Sequence, residues 1–297
     1  MSRTSQIFKV RFQGPLDIPA SVESFRRWGD DLIDRWDGRV LVRTTRVVGE
    51  AAPFTCTVAG TVDQPALKVT VRHQRHVQAI KQVVGTMFVS APGPLAELAA
   101  ADPVIARLEQ RYRGIRPVLQ VDLLTSLVRS ISAQQVNLKW AATTRSRLAR
   151  AFGRRHIVGA QQVFSLEVNQ IAAASVADLR ALQFTTRKAE YIISLCAAVV
   201  DGTLNLSMLR DLPDAEVIAR LMTLRGIGRW TAEWFLARTL GRPRVAAGDL
   251  GVRKAVGASY LGGRLPSEPE VRELTAHWGA AAGVAQQLLL HSRSAGV

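Results

Sequence analysis

Cysteine is nearly absent: the 297 residues hold two, Cys56 and Cys196, far apart in the chain. Such a pair supplies neither a disulfide framework nor a metal motif. It also falls short of the four clustered ligands of an iron–sulfur centre. No apolar run approaches the roughly 18 residues of a membrane-crossing helix. The opening residues 1–15 offer no apolar export core and no small-residue cleavage site. These absences predict a protein of a reducing cytosol. They predict no membrane, no metal and no other cofactor. Acidic residues are also short, 24 Asp and Glu against 39 Lys and Arg, a net charge of +15. An excess of that size favours a polyanionic partner, of which nucleic acid is the usual one. It is carried mostly by residues 96–297, with 26 basic against 16 acidic side chains, compared with 13 against 8 in residues 1–95.

What is present is enough apolar material, 47% of residues, for two domains that each bury a core. Residues 1–94 read as mixed α/β. Strand-like alternation occurs at Ile7–Phe12, Val40–Arg46, Thr55–Val62 and Ala66–His73. Helical spacing occurs at Val22–Trp36 and Val77–Val84. The economical arrangement is an antiparallel sheet with helices on one face. Ala91-Pro92-Gly93-Pro94 punctuates the chain, and residues 95–297 then show almost only helical periodicity. The fold class is therefore α+β: a sheet domain followed by an all-α region. In that region Asp122 caps a helix through Ile131, and a second runs to about Phe152. Others span Lys188–Val200, Ala215–Leu224, Arg229–Leu240, Leu250–Tyr260, Pro269–Trp278 and Val284–Ser292.

The most specific stretch is Leu224-Arg225-Gly226-Ile227-Gly228-Arg229-Trp230-Thr231-Ala232. Two helices joined through Gly-Ile-Gly make a tight hairpin, with Ile227 as its buried anchor. Glycines there permit unusual backbone angles and uncover amides at the start of the second helix. Unsatisfied N–H groups and the helix dipole attract an anion at that point, and a DNA phosphate fits. Further on comes Ala246-Ala247-Gly248-Asp249-Leu250, with Asp249 at a helix N-terminus. Taken alone, Asp249 reads equally as an ordinary N-cap.

Together these motifs resemble the helix-hairpin-helix base-excision glycosylases, and among them the DNA-3-methyladenine glycosylase II branch. Ile131-Ser132-Ala133-Gln134-Gln135-Val136 resembles the turn that the family pushes into the minor groove. Phe184–Ile192 and Val284–His291 resemble two further family motifs, and Gly14-Pro15-Leu16-Asp17 resembles the branch's N-terminal domain. The resemblance implies a DNA glycosylase that flips an alkylated base of the 3-methyladenine or 7-methylguanine type out of duplex DNA. It implies Asp249 as the catalytic carboxylate and a base pocket formed by Trp230, Trp234, Phe25, Leu250 and Leu290. It implies DNA contacts from Gln134, Gln135, Gly226, Ile227, Gly228, Arg229 and Thr231. Strand-cutting relatives carry a lysine nucleophile where this chain has Trp230, so hydrolysis without strand cleavage is expected, by a monomer. A glycosylase/lyase for oxidised bases and a non-catalytic damage-binding protein are the alternatives. The chain departs from the branch at Gly279-Ala280-Ala281-Ala282-Gly283 and near Leu290-His291, where aromatic residues are common.

Side by side with these roles stand plainer ones. Phe25 fits a core position as well as a pocket wall, Trp230 and Trp234 fit a helix buried on both sides, and Gln134 and Gln135 fit an exposed turn.

Overall fold

Alternating apolar and polar residues bury one face of a strand, and the N-terminal third follows that rule. The computed structural model describes residues 5–295. Residues 1–4 and 296–297, which belong to the N-terminal reading and to the outer ends of the two expected domains, lie outside the described residues. Strands β1 (Gln6–Arg11), β2 (Arg35–Trp36), β3 (Val40–Val47), β4 (Glu50–Val58) and β5 (Ala66–Val71) form one antiparallel sheet, ordered β1-β5-β4-β3-β2. Helices α1 (Ile18–Val22), α2 (Ser24–Arg27) and α3 (Val77–Gly85) accompany it. Val22, Phe25, Leu41, Phe54, Val69 and Ile80 are among the residues of one buried apolar cluster.

The helix expected over Val22–Trp36 is not continuous. After α2 the backbone turns left-handed at Gly29 (φ 100°) and Leu32 (φ 67°). The Asp30 carboxylate accepts the Leu32 amide at 2.9 Å. Asp31 accepts those of Ile33 and Asp34, each at 3.1 Å. Short acidic side chains thus satisfy backbone donors that a helix would otherwise pair. The apolar residues of this stretch serve two cores. Phe25 and Trp36 join the sheet cluster, while Leu32 and Ile33 pack among the later helices.

Those helices are α4 (Pro92–Ala101), α5 (Pro103–Arg111), α6 (Leu123–Ala133), α7 (Leu138–Phe152), α8 (Val168–Ala172), α9 (Val176–Ala181) and α10 (Thr186–Val200). After them come α11 (Asp214–Met222), α12 (Arg229–Arg238), α13 (Leu250–Tyr260), α14 (Glu268–Leu274) and α15 (Ala282–Ala295). Caps define several starts. Asp122 accepts the Thr125 amide at 2.8 Å, and Asn137 that of Trp140 at 2.8 Å. The region is not all helical, however. Strands β6 (Gly153–Val158) and β7 (Gln161–Leu166) form a hairpin about Gly159-Ala160. It docks on the N-terminal segment: Arg35 donates to the Gln162 carbonyl at 2.6 Å and Arg46 to that of Leu166 at 2.7 Å. The helix expected over Pro269–Trp278 ends at Leu274, and Ala276–Ala281 forms a 3-10 turn with Gly279 at φ 47°. No helix among the described residues is long and apolar enough to cross a membrane.

A second apolar cluster surrounds α6, α10 and α12, and a third joins α4 and α5 to α13 and α15. Helix α12 lies between these two, with Phe235 and Leu236 in the second and Trp234 packed against the third.

Candidate active site

A cleft of about 1090 Å³ opens where the sheet cluster and the third cluster meet beside α6 and α12. Residues of α1–α2 (Phe25, Trp28), the end of α6 (Arg129, Ala133) and the start of α7 (Leu138) line it. So do Trp230, Trp234 and Arg238 of α12, then Asp249, Gly251 and Leu290.

Asp249 divides its two oxygens. Oδ1 accepts the Val252 amide at 2.9 Å and caps α13. Oδ2 accepts the indole N–H of Trp230 at 2.8 Å and that of Trp234 at 3.2 Å. The capping role and the placement in the cleft therefore hold at once. Two indole donors on one oxygen leave the carboxylate fixed in direction and half-buried beside an apolar wall. The segment leading to it is pinned as well, since the Ala246 amide donates to buried Gln286 Oε1 at 2.8 Å. Gly251 makes the space: a Cβ there would lie 2.9 Å from Asp249 Oδ1.

Spacing along α12 puts Trp230, Trp234 and Arg238 on one face, four residues apart each. The Arg238 guanidinium lies over the Trp234 ring, 5.2 Å from its centroid, and donates to Gln287 Oε1 at 2.5 Å. Burial pulls its pKa down to about 10 while the Asp249 charge opposes the shift, so it remains a cation at neutral pH. The sequence reading passed over Arg238, although the same four-residue period that picked out the tryptophans continues to it.

The hairpin forms as its sequence suggests, with refinements. Ile227 is buried in the helical core. Gly226 has φ 82°, and a Cβ there would lie 2.0 Å from the Tyr191 ring, so only glycine fits. Gly228 is different. Its φ is −97° and nothing lies within 4 Å of its would-be Cβ, so it leaves the helix start uncovered rather than supplying an unusual angle. The first amides of α12, on Arg229, Trp230 and Thr231, have no partner within the helix. The Thr231 side chain is buried and its hydroxyl unpartnered. What residue 231 leaves open at the helix start is therefore its backbone amide and not its hydroxyl. Exposed Arg229 is paired with Glu233 Oε1 at 3.1 Å.

Gln134 and Gln135 part company. Gln134 Nε2 donates to the Gly226 carbonyl at 2.8 Å, which docks this turn on the hairpin. Gln135 is exposed and left-handed, with φ 54°. Of the five pocket residues, Trp230, Trp234, Phe25 and Leu290 line the cleft and Leu250 does not. Leu250 is the first residue of α13 and 52% exposed, the cleft side being taken by Gly251. Phe25 serves both roles: it belongs to the sheet core and borders the cleft. Trp28 joins it there. The Gly279–Gly283 departure falls at the 3-10 turn and first residues of α15, and none of these residues lines the cleft.

Known proteins resemble this chain in sequence and in fold. Over 247 residues the chain is 26% identical to the YfjP protein of Bacillus subtilis (strain 168), covering 81% of this chain and 79% of that one. It is 33% identical to DNA-3-methyladenine glycosylase 2 of Escherichia coli (strain K12) over 146 residues. That match covers 49% of this chain and 48% of the relative, so it spans about half of each. The structure superposes on the 3-methyladenine DNA-glycosylase of Archaeoglobus fulgidus with a TM-score of 0.85, at 22% identity, over 97% of this chain and 98% of that one. Residues 128–280, from the middle of α6 to the approach to α15, match the family described as "HhH-GPD superfamily base excision DNA repair protein". With the hairpin, the aspartate and the cleft between them in place, the chain belongs to the HhH-GPD superfamily of base excision DNA repair proteins.

Proposed function

We propose that this protein is a monofunctional DNA glycosylase that hydrolyses the N-glycosidic bond of alkylated purines flipped out of duplex DNA. The observation that carries the reading is the Asp249 carboxylate, held by two indole N–H groups on the wall of an open cleft. Family membership and relatives named for 3-methyladenine removal support it.

The steps follow from the groups present. A DNA phosphate binds the uncovered amides at the start of α12, where the helix dipole adds its field. The flipped base enters the cleft beside Trp230 and Trp234, whose electron-rich faces suit an electron-poor ring. The C1′–N bond breaks and its electron pair leaves with the base, so a cationic purine departs neutral without strong acid assistance. Asp249 opposes the positive charge that develops on the sugar, through preorganised electrostatics. Water adds to C1′ and its proton passes to the carboxylate or to solvent. Gln135 fills the hole left in the base stack. Trp230 stands at the position of the lysine of strand-cutting relatives and offers no amine, which supports hydrolysis alone. With this reading go the two domains at 1–94 and 95–297, a monomer, and work in the bacterial cytosol or nucleoid.

The test is base release. Incubating the protein with methylated duplex DNA should liberate free 3-methyladenine or 7-methylguanine and leave intact abasic strands. Release of no base would overturn the reading. A covalent adduct trapped by borohydride would replace it with a lyase.

A further inference from the structure

Beneath the Gln134-Gln135 turn lies a buried cluster of charges that the chemistry above leaves unused. Asp31 and Asp34, from the interrupted segment after α2, are almost fully buried. Arg129 of α6 bridges them, at 2.7 Å to Asp31 Oδ2 and 2.7 Å to Asp34 Oδ2. Arg43 of β3 reaches Asp34 Oδ1 at 2.6 Å, and Arg145 of α7 reaches Asp31 Oδ2 at 2.9 Å. Burial alone would raise the pKa of Asp31, but Arg129 and Arg145 hold it down at about 2, so it stays charged. Removing charges from water is costly, and their mutual attraction repays that cost poorly. Stability alone is thus a weak reason for the cluster.

Its outlet is the turn. Arg145 donates from its second arm to Ser132 Oγ at 2.8 Å, and buried Lys188 of α10 donates to the Ser132 carbonyl at 2.9 Å. Two residues on, Gln134 is tied to Gly226. Ser132 and Gln134 are thereby clamped from three sides, and Gln135 projects from the fixed end in a left-handed conformation.

We propose that Asp31 is a positioning residue: through Arg145 and Ser132 it sets the Gln134-Gln135 turn in the shape needed to enter the DNA stack. The proposal rests on the glycosylase reading and adds which part of the reaction the cluster serves. Filling the stack matters only where a base must be pulled from a paired duplex, since flipping costs least for an unpaired base. Asp31 therefore acts on the opening of the duplex and not on bond cleavage.

The test compares single-turnover release of 7-methylguanine from a fully paired duplex and from the same strand with the lesion in an unpaired bubble. Asp31→Asn keeps the shape of the side chain and deletes its charge. Ser132→Ala removes the far end of the relay without deleting a charge, and urea denaturation checks that it folds. Both variants should lower the duplex-to-bubble ratio roughly tenfold, within the usual range for coupled neighbours. In a Gln135→Ala background neither should lower it further. A purely structural role predicts equal losses on both substrates, and an unchanged ratio in the folded Ser132→Ala protein overturns the proposal. If the unaltered protein releases no base from either substrate, the glycosylase reading itself has failed, which is a separate outcome.

Discussion

Gly226-Ile227-Gly228 and Ser132-Ala133-Gln134-Gln135 are both turns between consecutive helices, and a hydrogen bond of 2.8 Å ties one to the other. They are held by different forces. The hairpin turn is fixed locally, by one buried isoleucine and by a glycine in a conformation no other residue adopts cheaply. The glutamine turn is fixed from a distance, by cations reaching in from α7 and α10 and by carboxylates some 100 residues earlier. The difference matches what each turn presents. Backbone amides need only a local shape, so their support is written beside them in the chain. A side chain that enters a base stack, as proposed for Gln135, needs its rotamer and direction set, and that takes packing from several elements. The hairpin side also carries Asp249, through the two tryptophans of α12.

The largest expected effect separates chemistry from architecture on that side. Asp249→Asn keeps an oxygen to cap α13, and Asn caps about as well as Asp. It removes the charge that opposes the developing sugar cation, a loss on the order of 10²–10³ in rate. Single-turnover release should fall by that factor, while stability falls only by the roughly 1–3 kcal/mol of indole donors left facing an amide NH2 where Oδ2 had accepted them. A large fall in melting temperature with near-normal release would return Asp249 to a purely capping role.

Next comes the local character of the hairpin. Gly226→Ala forces a left-handed alanine, at roughly 1–2 kcal/mol, and drives its methyl into the Tyr191 ring, at roughly 1–3 kcal/mol more. Gly228→Ala meets open space at an ordinary φ and should cost less than about 1 kcal/mol. Urea denaturation of the two variants reads the contrast directly. Equal destabilisation by both would mean that the turn is not fixed at Gly226.

The same contrast explains what was legible before the structure. Asp122 and Asp249 announced helix starts because capping is a local event, and Leu250–Tyr260 runs as its periodicity predicts. Ile227 and the paired tryptophans were legible for the same reason. The interrupted stretch 28–34 was not, because Leu32 and Ile33 have helical spacing with Phe25 and Trp36 yet belong to a different core. The β6–β7 hairpin was missed although its two strands are adjacent in the chain, because the surface on Arg35 and Arg46 that it docks against lies 127 and 120 residues away. Within the site, the sequence singled out Asp249, which lies on the cleft wall, but not the two indole N–H bonds it accepts. Nor did it show Gly251 standing where Leu250 was expected.

The smallest effects fall on the two glutamines, and they bear most directly on the comparison. Neighbours in sequence, they should behave as opposites. Gln134 spends its amide on the Gly226 carbonyl, so Gln134→Ala should lower global stability by about 1 kcal/mol, the ordinary net worth of one hydrogen bond. Gln135 is exposed and already pays for its left-handed backbone, so Gln135→Ala should leave stability within about 0.5 kcal/mol of the parent. Binding reverses the order. If Gln135 occupies the hole beside the flipped base, its truncation should weaken binding to a lesion duplex by about 1–2 kcal/mol. Binding to undamaged DNA, held by phosphate contacts that the residue does not make, should hardly change. Urea denaturation and a pair of binding isotherms, one on lesion duplex and one on undamaged duplex, suffice for each variant. Were Gln135→Ala to weaken both duplexes equally, the residue would be a phosphate contact. The turn would then belong with the hairpin as a sequence-independent anchor, and the contrast drawn between them would collapse.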